Sequence, residues 1–226
     1  MTTTKILVCI PVLYLFCTSS FALVAIDVGH QLGKDPGCIS ASGVPEVVYN
    51  RRVSQGIKTK LEQAGVKCFL ILDEPTRNRA EIATQKGSTV LVSIHHDSVR
   101  KSLLPYVYRY RGFSIFVSRN NGSFYDSLML AHFVGREMTS RDFVPALHYT
   151  RTFTTHSQSY GIFQNNKLVV LKTECPSILI ECGIIKNLRE ELFLNREDVQ
   201  DNLTSAISTG IIKFLEVKQS HGVIEK

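Results

Sequence analysis

No long run of lysine or arginine occurs in this sequence, and no basic helix carries interleaved aromatics. The local footprint of nucleic-acid binding is therefore missing, although a net charge of +6 suits an anionic partner of some kind. Internal repeats and low-complexity tracts are absent, which excludes a solenoid. No shift of composition marks a domain boundary, so the 226 residues read as one large domain behind a short leader. Past residue 22, no apolar segment approaches the roughly 20 residues that cross a bilayer. The compact HExxH motif is missing too, so a metal site would need ligands scattered along the chain. Hydrophobic residues make up 44% of the chain and charged residues 20%. A domain with that balance can bury a core without staples, and a metal here would serve chemistry more than folding.

The N-terminus carries the first positive signal. Lys5 precedes an apolar run over residues 6–17, followed by Thr18, Ser19 and Ser20. Ser20-Phe21-Ala22 offers small residues at the two positions that a cut after Ala22 requires. Residues 1–22 are thus expected to be a secretory signal peptide, with an uncleaved anchor as the alternative. The mature chain would be exported, periplasmic or extracellular, with no stable membrane span. Cleavage would leave Cys38, Cys68, Cys175 and Cys182, whose spacing selects none of three pairings and equally allows free thiols.

Strand-like and helix-like segments alternate through residues 23–218. Strands are expected at residues 23–29, 67–72, 89–96, 112–118, 168–171 and 177–183 from their apolar, β-branched content. Helices are expected at residues 44–64, 77–86 and 123–140. A last helix carries Val199, Leu203, Ile207, Ile211 and Leu215 at four-residue spacing. Residues 99–111 read as a loop, residues 141–166 as an irregular lid candidate and residues 219–226 as a C-terminal tail. The alternation predicts a single α/β domain with a mostly parallel sheet flanked by helices.

Ionisable residues sit where expected strands end. His30 follows LVAIDVG, His95 and His96 close TVLVSI, and Glu181 lies in SILIECG. Ligands of open α/β sheets bind beyond the carboxyl ends of strands, so residues far apart in sequence can meet there. Glu46 opens the first helix, facing the same edge. Two imidazoles, a carboxylate and an open position make a catalytic zinc site, and His30, Glu46 and His95 are the expected triad. Each alone has a plainer reading as a capping or hydrogen-bonded residue. Glu181 stands out because a carboxylate within an apolar run needs a partner, a proton or a function. It is the candidate general base and acid, with a structural salt bridge as the alternative.

These segments resemble a known family. IDVGHQLGKDPGC is similar to the IDPGHGGxDPGA motif of the zinc-dependent N-acetylmuramoyl-L-alanine amidases of the Amidase_3 group. VSIHHDS resembles their VSIHANA, PSILIECGIIKN their PAVLVELGFLSN, and VVLKTECP their VLRxTxxP. The resemblance covers about residues 23–215. It implies a twisted, six-stranded mixed sheet of the phosphorylase/hydrolase type. It places the zinc ligands on His30, Glu46 and His95 and the catalytic glutamate on Glu181. The implied substrate is peptidoglycan, cut between N-acetylmuramic acid and L-alanine, with an activator protein as a further partner. A metal-dependent peptidase of the same fold and an inactive wall-binding module are the rival readings. Gln31-Leu32 replaces the family's Gly-Gly, His96 its small residue and Asp97 its asparagine. Asp27 is expected to orient His30 through the second ring nitrogen. Asn187 matches a position near the site, with helix capping as its alternative.

Overall fold

The computed structural model describes residues 22–224. All but the last residue of the expected signal peptide lies outside them. Seven strands form one mixed sheet: β1 (Leu23–Val28), β2 (Lys67–Ile71), β3 (Val90–Asp97), β4 (Ser114–Val117), β5 (Thr154–Ser157), β6 (Ile162–Gln164) and β7 (Ser177–Ile184), in the spatial order β2-β1-β3-β7-β4-β6-β5. The first four strands in that order are parallel. β4 runs antiparallel to β7, and a β5–β6 hairpin completes the edge. Among the described residues, five α-helices accompany the sheet: α1 (Glu46–Gln63), α2 (Thr76–Gln85), α3 (Phe124–Thr139), α4 (Leu188–Leu194) and α5 (Glu197–Ile224). α5 runs on through most of the segment read as a tail. None of the described helices is long and apolar enough to cross a membrane.

Strand alternation divides the core between the two sheet faces. Val24 and Ile26 of β1, Val92 and Ile94 of β3 and Ile178 and Ile180 of β7 meet α1, α3 and α5 in the larger core. Ala25, Leu91 and Leu179 point the other way, into a smaller core completed by Ala83 of α2, Val170 and Leu171. The four-residue stripe of α5 is buried throughout, from Val199 to Leu215. α1 begins at Glu46 because Pro45 is extended and cannot donate into a preceding turn. It stops at Gly65, whose φ of 77° suits a left-handed cap.

The sheet has one more strand than expected, and two segments account for it. Residues 168–171 form no strand; Val169–Leu171 is a 3-10 turn. The Asn121 amide takes the Leu171 carbonyl, which a strand would have offered to a neighbour, and beyond it the carbonyls of Thr173 and Cys175. The irregular stretch 141–166 instead holds β5 and β6. Polar, four-residue Thr154–Ser157 is too short to show the alternation of a half-buried strand. Within residues 99–111, Lys101–Arg109 winds as a 3-10 helix. Cys38, Cys68, Cys175 and Cys182 are all free thiols.

One buried ion pair ties α2 to the end of β1. Arg79 is only 2% exposed and Asp27 fully buried. The guanidinium meets Asp27 at 2.6 Å and donates to the carbonyls of Glu74, Val28 and His30. Ser93 donates to the other Asp27 oxygen at 2.5 Å. Removing one partner of such a pair strands the other without solvent. Arg79→Ala is expected to lower the unfolding free energy by about 3–5 kcal/mol; an unchanged urea midpoint would remove this pair from the stability of the fold.

Candidate metal centre

His30 leaves the end of β1 in a left-handed conformation, φ 69°. That is an uncommon geometry for a residue with a side chain. The surroundings impose it: Gly29 N–H extends the ladder to the Ile94 carbonyl, and Arg79 takes the His30 carbonyl at 2.5 Å. The half-buried ring then turns Nε2 toward Glu46 Oε2, 3.1 Å away, and Nδ1 toward Asp35 Oδ2 at 3.0 Å.

Glu46 is 4% exposed. Oε2 accepts the Cys38 N–H, and Oε1 accepts from the Asn50 amide and the His96 N–H. His95 places Nδ1 3.1 Å from Oε1. Burial alone would push the Glu46 carboxyl up, but His30 and His95 overcome it and hold it below the usual range. Burial likewise draws the His30 pKa down, and Glu46 and Asp35 reverse it, leaving it raised.

His95 and His96 alternate across β3. His96 turns into the core beneath α1, where it is 1% exposed and pairs with Asn50 Oδ1 at 2.8 Å. It takes no place beside Glu46's open side. Asp27 does not orient His30, contrary to the sequence expectation. Strand alternation turns it toward α2 and Arg79, and Asp35 on the following loop takes the role. Asn187 caps α4 by accepting the Arg189 N–H.

Glu181 stands directly across from His95 in the β3–β7 register. Its Oε2 is buried without a hydrogen-bond partner, so the alternative of a structural salt bridge does not apply. Burial, followed by the charges of Asp97 and Glu46, holds the carboxyl well above the usual range. Asp97 accepts the Tyr149 hydroxyl at 2.7 Å and lies 3.5 Å from His148 Nε2. Beyond them opens a cavity of about 430 Å³ whose lining includes Arg100, Tyr110, His148 and Arg151.

The chain matches the model of the N-acetylmuramoyl-L-alanine amidase family, Amidase_3, over residues 24–213. The chain belongs to that family. It is 28% identical to the probable amidase AmiB of Haemophilus influenzae, an alignment covering 88% of this chain and 55% of that protein. It is 24% identical to AmiA of Salmonella typhimurium, over 87% of this chain and 77% of that one. This chain therefore spans little more than half the length of the first relative. Among solved structures, the amidase AmiC2 of Nostoc punctiforme superposes with a TM-score of 0.70 at 26% identity, over 88% of this chain and 99% of that one. Ami1 of Mycobacterium smegmatis shares the fold, with a TM-score of 0.74 at 20% identity over 87% and 97%.

In this amidase-family chain, one atom each from His30, Glu46 and His95 lies within 4.8 Å of the others. Each nitrogen lies 3.1 Å from a different Glu46 oxygen, and each separation is close to the roughly 3.3 Å between neighbouring ligand atoms of a tetrahedron with bonds of about 2.0–2.1 Å. Two nitrogens and one carboxylate oxygen are also the donor chemistry that zinc accepts. Glycines hold the cluster closed. A Cβ on Gly37, φ 73°, would meet Glu46 Oε2 at 2.5 Å, and one on Gly29 would meet the His95 ring at 2.5 Å. Asp35, Asn50 and Tyr149 escaped the sequence reading; only Asp35, five residues after His30 in the first motif, carried a local signal.

Two outcomes follow for the metal-free chain. Gly29→Ala must displace the His95 ring and is expected to cost about 1–3 kcal/mol of stability, read by urea unfolding. A shift in the His95 imidazole resonances should accompany it, and parent-like stability and resonances would sink this account. His96, held neutral by burial, has its pKa pulled down to about 4 from 6.5. The unfolded chain therefore binds this proton first. The stability it protects is complete above pH 6.5 and lost as pH falls toward 4, about 3 kcal/mol in all. His96→Gln should flatten the pH dependence of unfolding across that window, and an identical slope would contradict the assignment.

Proposed function

We propose that this chain is an exported, zinc-dependent amidase that hydrolyses the peptidoglycan amide between N-acetylmuramic acid and L-alanine. The observation that carries the reading is the convergence of His30, Glu46 and His95 beside a Glu181 carboxyl whose buried Oε2 has no hydrogen-bond partner. The three ligands are the residues that would hold zinc. Bound there, the ion would lower the pKa of a water and polarise the scissile carbonyl.

The chain's own groups do the rest. Asp35 fixes the tautomer and tilt of His30. The N–H groups of Cys38 and His96 and the Asn50 amide keep the Glu46 carboxylate aimed outward. Glu181 accepts a proton from the attacking water and returns it to the departing L-alanine nitrogen. Burial, then the charges of Asp97 and Glu46, raise the Glu181 pKa, which favours holding the proton between the two transfers. Arg100 and Arg151 border the adjoining cavity and suit a carboxylate of the stem peptide. The same pair would suit a free small peptide, so cleavage of intact wall rather than N-acyl peptides separates this reading from the peptidase alternative. An activating protein belongs to the proposal, with residues 141–166, which reach Asp97 through Tyr149 and His148, as the segment it would move.

The test is zinc content, by elemental analysis, alongside peptide release from purified wall. About one zinc per chain is expected, lost together with activity in His30→Ala and His95→Ala. Glu181→Gln should keep zinc and wall binding while kcat falls by about 10²–10⁴. Undiminished turnover in that variant would take Glu181 out of the reaction. A metal-free parent that binds wall without cutting it would favour the binding module.

A further inference from the structure

Glu191, one turn into α4, is fully buried. Its Oε1 accepts from the Ser40 hydroxyl at 2.7 Å and the Tyr49 hydroxyl at 2.5 Å. Its Oε2 accepts from the Ser42 N–H and hydroxyl, both at 3.0 Å. Among the described residues no lysine, arginine or histidine pairs with it. A buried carboxylate is costly to desolvate, and here four neutral donors rather than a cation offset that cost.

The donors come from the loop that leads into Glu46 and from the first turns of α1. That loop closes on itself through the Ile39–Pro45 bridge and the Val44 N–H to the Ser40 hydroxyl. At its neck, Cys38 and Glu46 exchange two hydrogen bonds. The Glu46 N–H donates to the Cys38 carbonyl, and the Cys38 N–H donates to Glu46 Oε2. The far side is bound to the segment following β7. Ala41 N–H donates to the Ile185 carbonyl at 2.9 Å, and Lys186 Nζ to the Ile39 carbonyl at 2.9 Å. Tyr49 lies three residues beyond Glu46 on α1, so the Glu191 carboxylate holds both sides of the Glu46 backbone. β7 also carries Glu181. The loop that shapes the Glu46 carboxylate is thus pinned to the continuation of the strand that bears the candidate base.

We infer that Glu191 is a positioning residue, which presets the Glu46 carboxylate for the metal and holds it at a set distance from Glu181. The inference rests on the metal reading of His30, Glu46 and His95. Without the Glu191 acceptors, Ser40, Ser42 and Tyr49 lose their common anchor, and the Cys38–Glu46 exchange is free to shift.

Zinc affinity of the chelator-stripped chain, measured by competition with a chromophoric chelator, tests this beside the thermal unfolding midpoint. Glu191→Gln keeps the volume but loses acceptor capacity. It should bind zinc about ten- to a hundred-fold more weakly while still unfolding cooperatively. Tyr49→Phe, which removes one donor only, should weaken binding in the same direction by less, and covers the case in which Glu191→Gln fails to fold. Folded variants with parental zinc affinity, even at a lower unfolding midpoint, would make Glu191 a purely structural residue and overturn the inference. A parent chain that takes up no zinc would sink the metal reading and this inference with it, a result distinct from parental affinity in the variants.

Discussion

The buried carboxylate of Glu46 is the constraint around which the sheet edge is arranged. An anion at 4% exposure must be compensated, and each neighbouring element contributes. The loop supplies the Cys38 N–H, β3 supplies the His96 N–H and α1 supplies Asn50. Those donors leave one side of the carboxylate open, and the two imidazoles occupy that side. The site is therefore a preformed cluster of charged and polar groups. Burial, followed by like-charge repulsion from Asp97 and Glu46, raises the pKa of the neighbouring Glu181. A cation at the cluster would reverse much of that balance.

Strand periodicity decides which groups take part. Asp27, Ser93 and the Arg79 guanidinium form a closed set on the α2 side, and that set grips the His30 carbonyl from behind. His95 and His96 are chemically identical and adjacent, but one meets Glu46 and the other lies in the core under α1. Glu181 and His95 occupy facing positions on parallel strands, separated by about 4.8 Å between strand axes. Structural and chemical polar groups thus differ by one residue along the same strand.

α4 has a larger role than its seven residues suggest. It follows β7, is capped by Asn187, and carries two consecutive glutamates that bind different segments. Glu190 accepts the Gly112 N–H ahead of β4, while Glu191 accepts from the loop ahead of α1. Burial pushes the Glu190 carboxyl up to about 7, whereas the hydroxyl donors around Glu191 outweigh its burial and hold it low. Desolvation dominates at Glu190, while four donors hold Glu191 low, since hydrogen bonds to the charged form keep a buried carboxylate ionised.

The sequence by itself determined the α/β alternation, the buried stripe of α5 and the strand-end positions of His30, His95 and Glu181, because periodicity and strand-end chemistry are local properties. Its motifs also carried the family. It did not disclose the β5–β6 hairpin, whose strands are too short and polar for a period to show, or the turn at residues 169–171, where distant Asn121 claims the Leu171 carbonyl. Only the tertiary structure decided that Asp35 rather than Asp27 meets His30, that Arg79 fixes the His30 backbone and that Glu191 anchors the loop before Glu46. Each of those choices depends on the direction of a side chain relative to an element packed from elsewhere in the chain. Residue type and spacing alone do not encode that direction.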